Sequence, residues 1–135
     1  MLTRRGFAAC ALCAASGFAA TGAQAQNAAA ASGVKRTILQ QIDGPAEGWV
    51  TLIVEAEIEP GVLVARHTHP GIESTYILEG SAELSIDGEA PRTIGAGGSF
   101  QIPTGRPHGA KNGAAKTRLV SNYIVEKGKP LASPA

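Results

Sequence analysis

Cysteine is scarce here and sits where it can do little for a fold. The chain of 135 residues has two, Cys10 and Cys13, both near its start. If that stretch is lost on export, the remainder has no disulfide and must fold on its core alone, helped by a metal or by dimerisation. A surplus of either charge is also missing, with 12 Lys+Arg against 11 Asp+Glu. Such a balance gives no reason to expect nucleic acid or an anionic membrane as partner. No apolar run is long enough for a spanning helix: the stretch from Phe7 to about Ala20 is too short and too Ala-rich. No segment sustains a helical period, and there is no long repeat.

The first stretch reads instead as an export signal. Thr3-Arg4-Arg5-Gly6-Phe7 supplies a positive start, the apolar run follows, and Ala23-Gln24-Ala25 fits the small-x-small rule of signal peptidase. The twin arginine with a spaced Phe resembles the signal of the twin-arginine pathway. Neither cysteine sits in a convincing lipidation box. Residues 1–25 are therefore expected to be removed, leaving a periplasmic or secreted protein that does not associate with the membrane. Arg4 and Arg5 leave with the signal, so ten basic residues face eleven acidic ones, a net charge of −1. Residues 26–44 read as a flexible lead-in and first strand, 45–126 as the folded β-domain, and 127–135, with Pro130 and Pro134, as a disordered tail.

What the chain does have is β signal. From Trp49 to Ile58, Val50, Leu52, Val54, Ala56 and Ile58 fall on one face, with Thr51, Glu55 and Glu57 on the other. Further strands are expected at Val62–His69, Thr75–Leu78, Ala82–Ile86, Ser99–Ile102, Pro107–Ala110 and Lys116–Val125. Turns separate them at Glu59-Pro60-Gly61, Glu79-Gly80, Asp87-Gly88 and Pro103–Arg106. Short strands between Gly/Pro turns indicate an all-β antiparallel sandwich or barrel.

The only three histidines join one pattern. His67 and His69 are two apart on a predicted strand, so both side chains share a face, and the apolar alternation makes that face internal. Glu73 follows across a Pro70-Gly71 bend, on the same side if the bend keeps register. His108 comes from a distant hairpin. Three imidazoles and a carboxylate suit Mn, Fe, Ni, Cu or Zn and leave one or two positions open. Spacing alone leaves a second reading open, in which the histidines and Glu73 are satisfied core or surface residues.

The surrounding glycines and prolines carry a resemblance. Gly61, five residues, His67-Thr68-His69, three residues, Glu73, six residues and Gly80 match the first motif of the cupin superfamily. Gly97, five residues, Pro103, one residue, Gly105, two residues, His108, three residues and Asn112 match the second. One position departs: Gly98 stands where many cupins carry Asp, which is expected to loosen a turn bond. The resemblance implies a double-stranded β-helix, a jelly-roll-type antiparallel barrel. It also implies one divalent metal on His67, His69, Glu73 and His108, and often a homodimer.

Around the ligands, Arg106 is a candidate to hold a substrate carboxylate over the barrel mouth. Arg66 and Tyr76 should point outward, Thr75 and Ile77 inward. The registers of Gln101 and Tyr123 are not fixed by the sequence, and Trp49 and Phe100 read as core. Asn112 reads either as a loop tie through its side chain or as an ordinary turn residue.

The similarity to quercetinase-like small cupins implies a metal-dependent dioxygenase acting on a small chelating substrate. In that case Glu73 would be a ligand and, if it swings off, a general base. The alternatives are an isomerase or lyase acting on a sugar acid or small carboxylate, and a non-catalytic periplasmic protein binding a small ligand or metal. Export of a folded protein would favour Mn, Fe or Ni over Zn or Cu.

Overall fold

The computed structural model describes residues 32–135, which form ten strands and no helix. The expected export signal and residues 26–31 of the lead-in lie outside the described residues. The strands are β1 (Val34–Asp43), β2 (Trp49–Ile58), β3 (Leu63–Thr68), β4 (Gly71–Glu79) and β5 (Ser81–Ile86). They continue with β6 (Arg92–Gly95), β7 (Ser99–Ile102), β8 (His108–Asn112), β9 (Thr117–Glu126) and β10 (Ser133–Pro134). Two five-stranded sheets result, ordered β1-β2-β9-β4-β7 and β10-β3-β8-β5-β6. From β2 onward the chain passes repeatedly from one sheet to the other through short turns. This is the winding of a double-stranded β-helix.

Alternation decides which residues face inward. On β2, Val50, Leu52, Val54, Ala56 and Ile58 are buried and their neighbours are not. One apolar cluster joins Val50, Leu52, Val54, Tyr123, Val125 and Leu131. A second joins Ile77, Leu84, Ile86, Ile94 and Ile102, with Phe100 and Leu119 packed against it. The side of the barrel facing these clusters also carries the polar groups of the site.

The crossing from β3 to β4 fixes where Glu73 stands. The strand begins at Gly71, earlier than the expected Thr75. Gly71 passes so close to β9 that a Cβ there would overlap the Ile124 carbonyl oxygen and lie 2.6 Å from the Val125 Cα. Only glycine lets the two backbones meet at this distance. Glu73 then pairs with Tyr123 on β9 and Ile102 on β7.

Two expectations need correction. Residues 127–135 are not a disordered tail: Leu131 is buried in the core, and Ser133 and Pro134 pair with Thr68 and His67. One large apolar residue, Leu131, among prolines, alanines and a glycine carries no period, so the segment offered no pattern to read. Nor does Gly98 loosen its turn. Gly98 N donates to Gly95 O and Ile77 N donates to Gly98 O, both at 2.9 Å. A Cβ at this position would come within 2.6 Å of Ile94 Cγ2 and 2.9 Å of Gly95 O, so glycine suits the tight approach of β6 to β7. The Asn112 alternatives resolve in favour of the tie: its buried Nδ2 donates toward the carbonyls of Ile58, Glu59 and Ala115.

Candidate metal centre

Four side chains from both sheets converge inside the barrel. His67 on β3 and His108 on β8 are cross-strand partners. His69 lies just past the end of β3, and Glu73 reaches in from β4 of the opposite sheet. The turn before His108 is tied to this crossing, because Gly105 N donates to His69 O at 3.0 Å. The ring centroids of His67 and His108 are 4.3 Å apart, and His69 lies 4.9 Å from the first and 5.0 Å from the second. Each histidine offers one nitrogen, and the three nitrogens lie within 4.8 Å of one another. Glu73 Oε2 is 3.0 Å from His69 Nε2 and 3.2 Å from His108 Nε2.

The backbone sets the tautomers. Nδ1 of His67 faces Ala65 O at 2.7 Å, that of His69 faces Leu131 O at 2.5 Å, and that of His108 faces Arg106 O at 2.9 Å. A carbonyl oxygen only accepts, so each Nδ1 carries the hydrogen, and each neutral ring presents Nε2 as a lone pair. His69 Nε2 and His108 Nε2 are buried and make no directed hydrogen bond, despite the short approach of Glu73 Oε2. Buried acceptors without partners are costly. Lone pairs aimed at a common point, with an outer ring of carbonyls fixing their orientation, fit a bound divalent metal.

Glu73 is held as firmly as the rings. Its Oε1 accepts from Thr75 Oγ1 at 2.7 Å and from Ser121 Oγ and Tyr123 Oη at 3.2 Å each. Thr75 and Ser121 are themselves 2.6 Å apart. Burial pushes the Glu73 carboxyl up. The contacts with His108, then His69, and the Thr75 hydroxyl outweigh it and hold the group below the usual carboxylate range. A swing off the metal would break several charge-assisted hydrogen bonds at about 1.5–3 kcal/mol each. The arrangement favours a fixed ligand over a mobile base.

Burial lowers His67 to about 4, helped by the neighbouring rings. Burial also acts to lower His108, but the Glu73 carboxylate and the Arg106 carbonyl raise it overall. Tyr123 moves well above the ordinary phenol range, because it is buried and faces the Glu73 charge, while Arg36 works in the opposite direction.

Beside the rings lies a cavity of about 60 Å³, walled by His67, Glu73, His108, Tyr123, Ser121 and Arg36 together with apolar residues including Leu84, Phe100 and Leu119. Thr75 and Ile77 are buried and Tyr76 is exposed, as parity indicated. Arg66 points outward, its Nε donating to Asp87 Oδ1 at 3.1 Å. Arg106 is not at the site. Its Nε donates to Asp87 O at 2.8 Å, on an exposed surface outside the cavity wall. The turn that aims His108 inward sends its neighbour's side chain outward. Gln101 is exposed and bonds Ser74. Phe100 lines the cavity as well as the core.

The residues the sequence reading passed over were Arg36 and Ser121. Both carried a signal. Ser121 stands between Leu119 and Tyr123 at inward positions of β9, and Arg36 shares the face of the buried Val34 on β1, although the next residue of that face, Ile38, is exposed. Polar residues at such positions are the ones that need a partner.

The sequence profile of the cupin domain matches residues 54–121, half of the chain. The chain belongs to the cupin family. Over 51 residues it is 37% identical to dimethylsulfoniopropionate lyase DddQ of Ruegeria pomeroyi, a stretch covering 38% of this cupin and 25% of that protein. The match thus spans about a quarter of that relative's length. The crystal structure of DddQ from Ruegeria pomeroyi superposes with a TM-score of 0.63 at 22% identity, covering 84% of this cupin and 57% of that chain. The polyketide cyclase RemF of Streptomyces resistomycificus gives 0.61 at 25% identity, over 77% and 72% of the two chains. KdgF from Halomonas sp. gives 0.59 at 20% identity, over 72% and 83%. At 20 and 22% identity, KdgF and DddQ establish the fold of this cupin.

Proposed function

We propose that this cupin is a metal-dependent enzyme of the lyase or isomerase kind, moving protons on a small organic substrate. The observation that carries the reading is Tyr123, a buried phenol on the cavity wall with its Oη 3.2 Å from Glu73 Oε1. Oxygen attack on a chelated substrate requires no protein acid, whereas proton transfer does. His67, His69, His108 and Glu73 would hold the metal. When bound, it supplies Lewis acidity to an oxygen of the substrate.

The chain's own contribution is positioning and proton handling. Thr75 and Ser121 keep Glu73 in place. Tyr123 stays protonated at neutral pH; its one O–H donates to Glu73 Oε1 and would turn from it to donate a hydrogen bond to a substrate oxygen that gains charge. The apolar wall of Leu84, Phe100 and Leu119 excludes water. The partial match to a dimethylsulfoniopropionate lyase supports a small acid as the substrate.

The test uses full-length, metal-loaded protein under nitrogen, with dimethylsulfoniopropionate and other small acids carrying a leaving group β to the carboxylate. Product formation is expected. Tyr123→Phe should lower the rate about 10²-fold or more with metal content unchanged. Oxygen uptake with catechols or enols, and no turnover under nitrogen, would contradict this reading and favour the dioxygenase. Export and pairing into a homodimer are further proposals resting on the sequence. A mature chain beginning at Gln26 and a solution mass of two chains are their observables.

A further inference from the structure

The cavity wall holds one cation that nothing in the fold requires. Arg36 lies on β1 opposite Ala56, two residues after the buried Val34 on the same face. Its side chain is half-buried and borders the same cavity as His67, Glu73 and Tyr123. It forms no hydrogen bond or ion pair with another described residue. By contrast, Arg66, Arg106 and Arg118 are each engaged with Asp87, Glu55 or Glu79. The Glu73 charge is already met by three hydroxyls. A guanidinium beside Val34, Ala56 and Ile58 loses hydration without gaining a partner. With a divalent ion on three neutral imidazoles and one carboxylate, the charges facing the cavity sum to a positive value before Arg36 is counted. They are more positive with it.

We propose that Arg36 is the anchor for a small carboxylate substrate, gripping it through its planar guanidinium while the other end of the molecule faces the metal ligands. Guanidinium geometry matches a carboxylate with two parallel N–H donors, and the interaction strengthens where water is excluded. The place expected of Arg106 is thus taken by a residue on the first strand. The inference rests on the small-substrate reading above, but it concerns binding rather than turnover.

The test is calorimetric titration of the full-length Zn(II)-loaded protein with propanoate and with its neutral isostere propanamide. Neither carries a leaving group, so the measurement does not depend on activity. Propanoate should bind the wild type, and propanamide should bind about tenfold more weakly or worse. Arg36→Gln should weaken propanoate about tenfold or more, with Arg36→Lys between the two, at unchanged zinc content and melting temperature. Absence of propanoate binding to the wild type would overturn the proposal. So would binding to Arg36→Gln within about twofold of the wild type, or, should that variant not fold, wild-type affinity in Arg36→Lys. An Arg36-dependent carboxylate site without turnover would defeat only the enzymatic reading. Turnover indifferent to Arg36 would defeat only this one.

Discussion

At the scale of single residues, the centre is built by fixing protons. Three backbone carbonyls place hydrogen on Nδ1 of each histidine, and three hydroxyls turn Glu73 Oε2 toward the rings. His67 and His69 were legible as a pair because a period of two on a strand puts them on one face, while Glu73 and His108 joined them through the resemblance to the cupin motifs. Their outer partners were less so, since a carbonyl has no residue type, and Thr75, Ser121 and Tyr123 act only through the register of β4 against β9. A pH effect belongs at this scale. His67 titrates at about 4 in the folded, metal-free protein, against ~6.5 in an unfolded chain. Its folded value is depressed, so the unfolded chain takes up the proton first as pH falls. The His67 contribution is present above about pH 6.5 and is lost on acidification toward about 4. Denaturant melts of metal-free protein across that range should show this loss, and His67→Gln should reduce the slope. A slope unchanged in the variant would show that His67 is not the group responsible.

Among the elements, the connections do the positioning. The β3–β4 crossing at Gly71 carries the chain from the sheet of the histidines to the sheet of Glu73. The β7–β8 turn is bonded to the His69 carbonyl. Strands β2 and β7 were legible to the residue because their alternation or flanking turns were clear. β6 and β10 are short and lack a period, and β10 forms only because Leu131 finds the core. That tail is part of the site, since the Leu131 carbonyl holds His69 Nδ1. Leu131→Ala should therefore cost about 2–5 kcal/mol of stability, as buried leucine truncations do. It should also weaken metal binding, because it loosens the segment that orients His69. Denaturant melts and metal titration of the same variant would check both. A stability within about 0.5 kcal/mol of the wild type would mean that the tail is dispensable.

For the whole molecule, the barrel brings together residues 72 positions apart in sequence, from Arg36 to His108, around one small cavity. The fold class was legible because the glycines and prolines that punctuate the strands also frame the ligands. The chemistry was less so. The sequence offered Arg106 as the cation and left Tyr123 unplaced, while the closed barrel sends the first to the surface and the second to the cavity. With no cysteine among the described residues, the site's unpartnered nitrogens are the place where a ligand would most stabilise the fold. Binding at a hundredfold excess over Kd would add about 2.7 kcal/mol. The decisive measurement is elemental analysis of full-length protein, paired with its melting temperature before and after chelation. The account predicts one divalent transition metal per chain, a melting temperature that falls on chelation and recovers on reloading, and loss of metal in His67→Ala, His69→Ala and His108→Ala. A folded protein that holds no metal, and whose melting temperature responds to none of Mn, Fe, Ni, Cu or Zn, would contradict it.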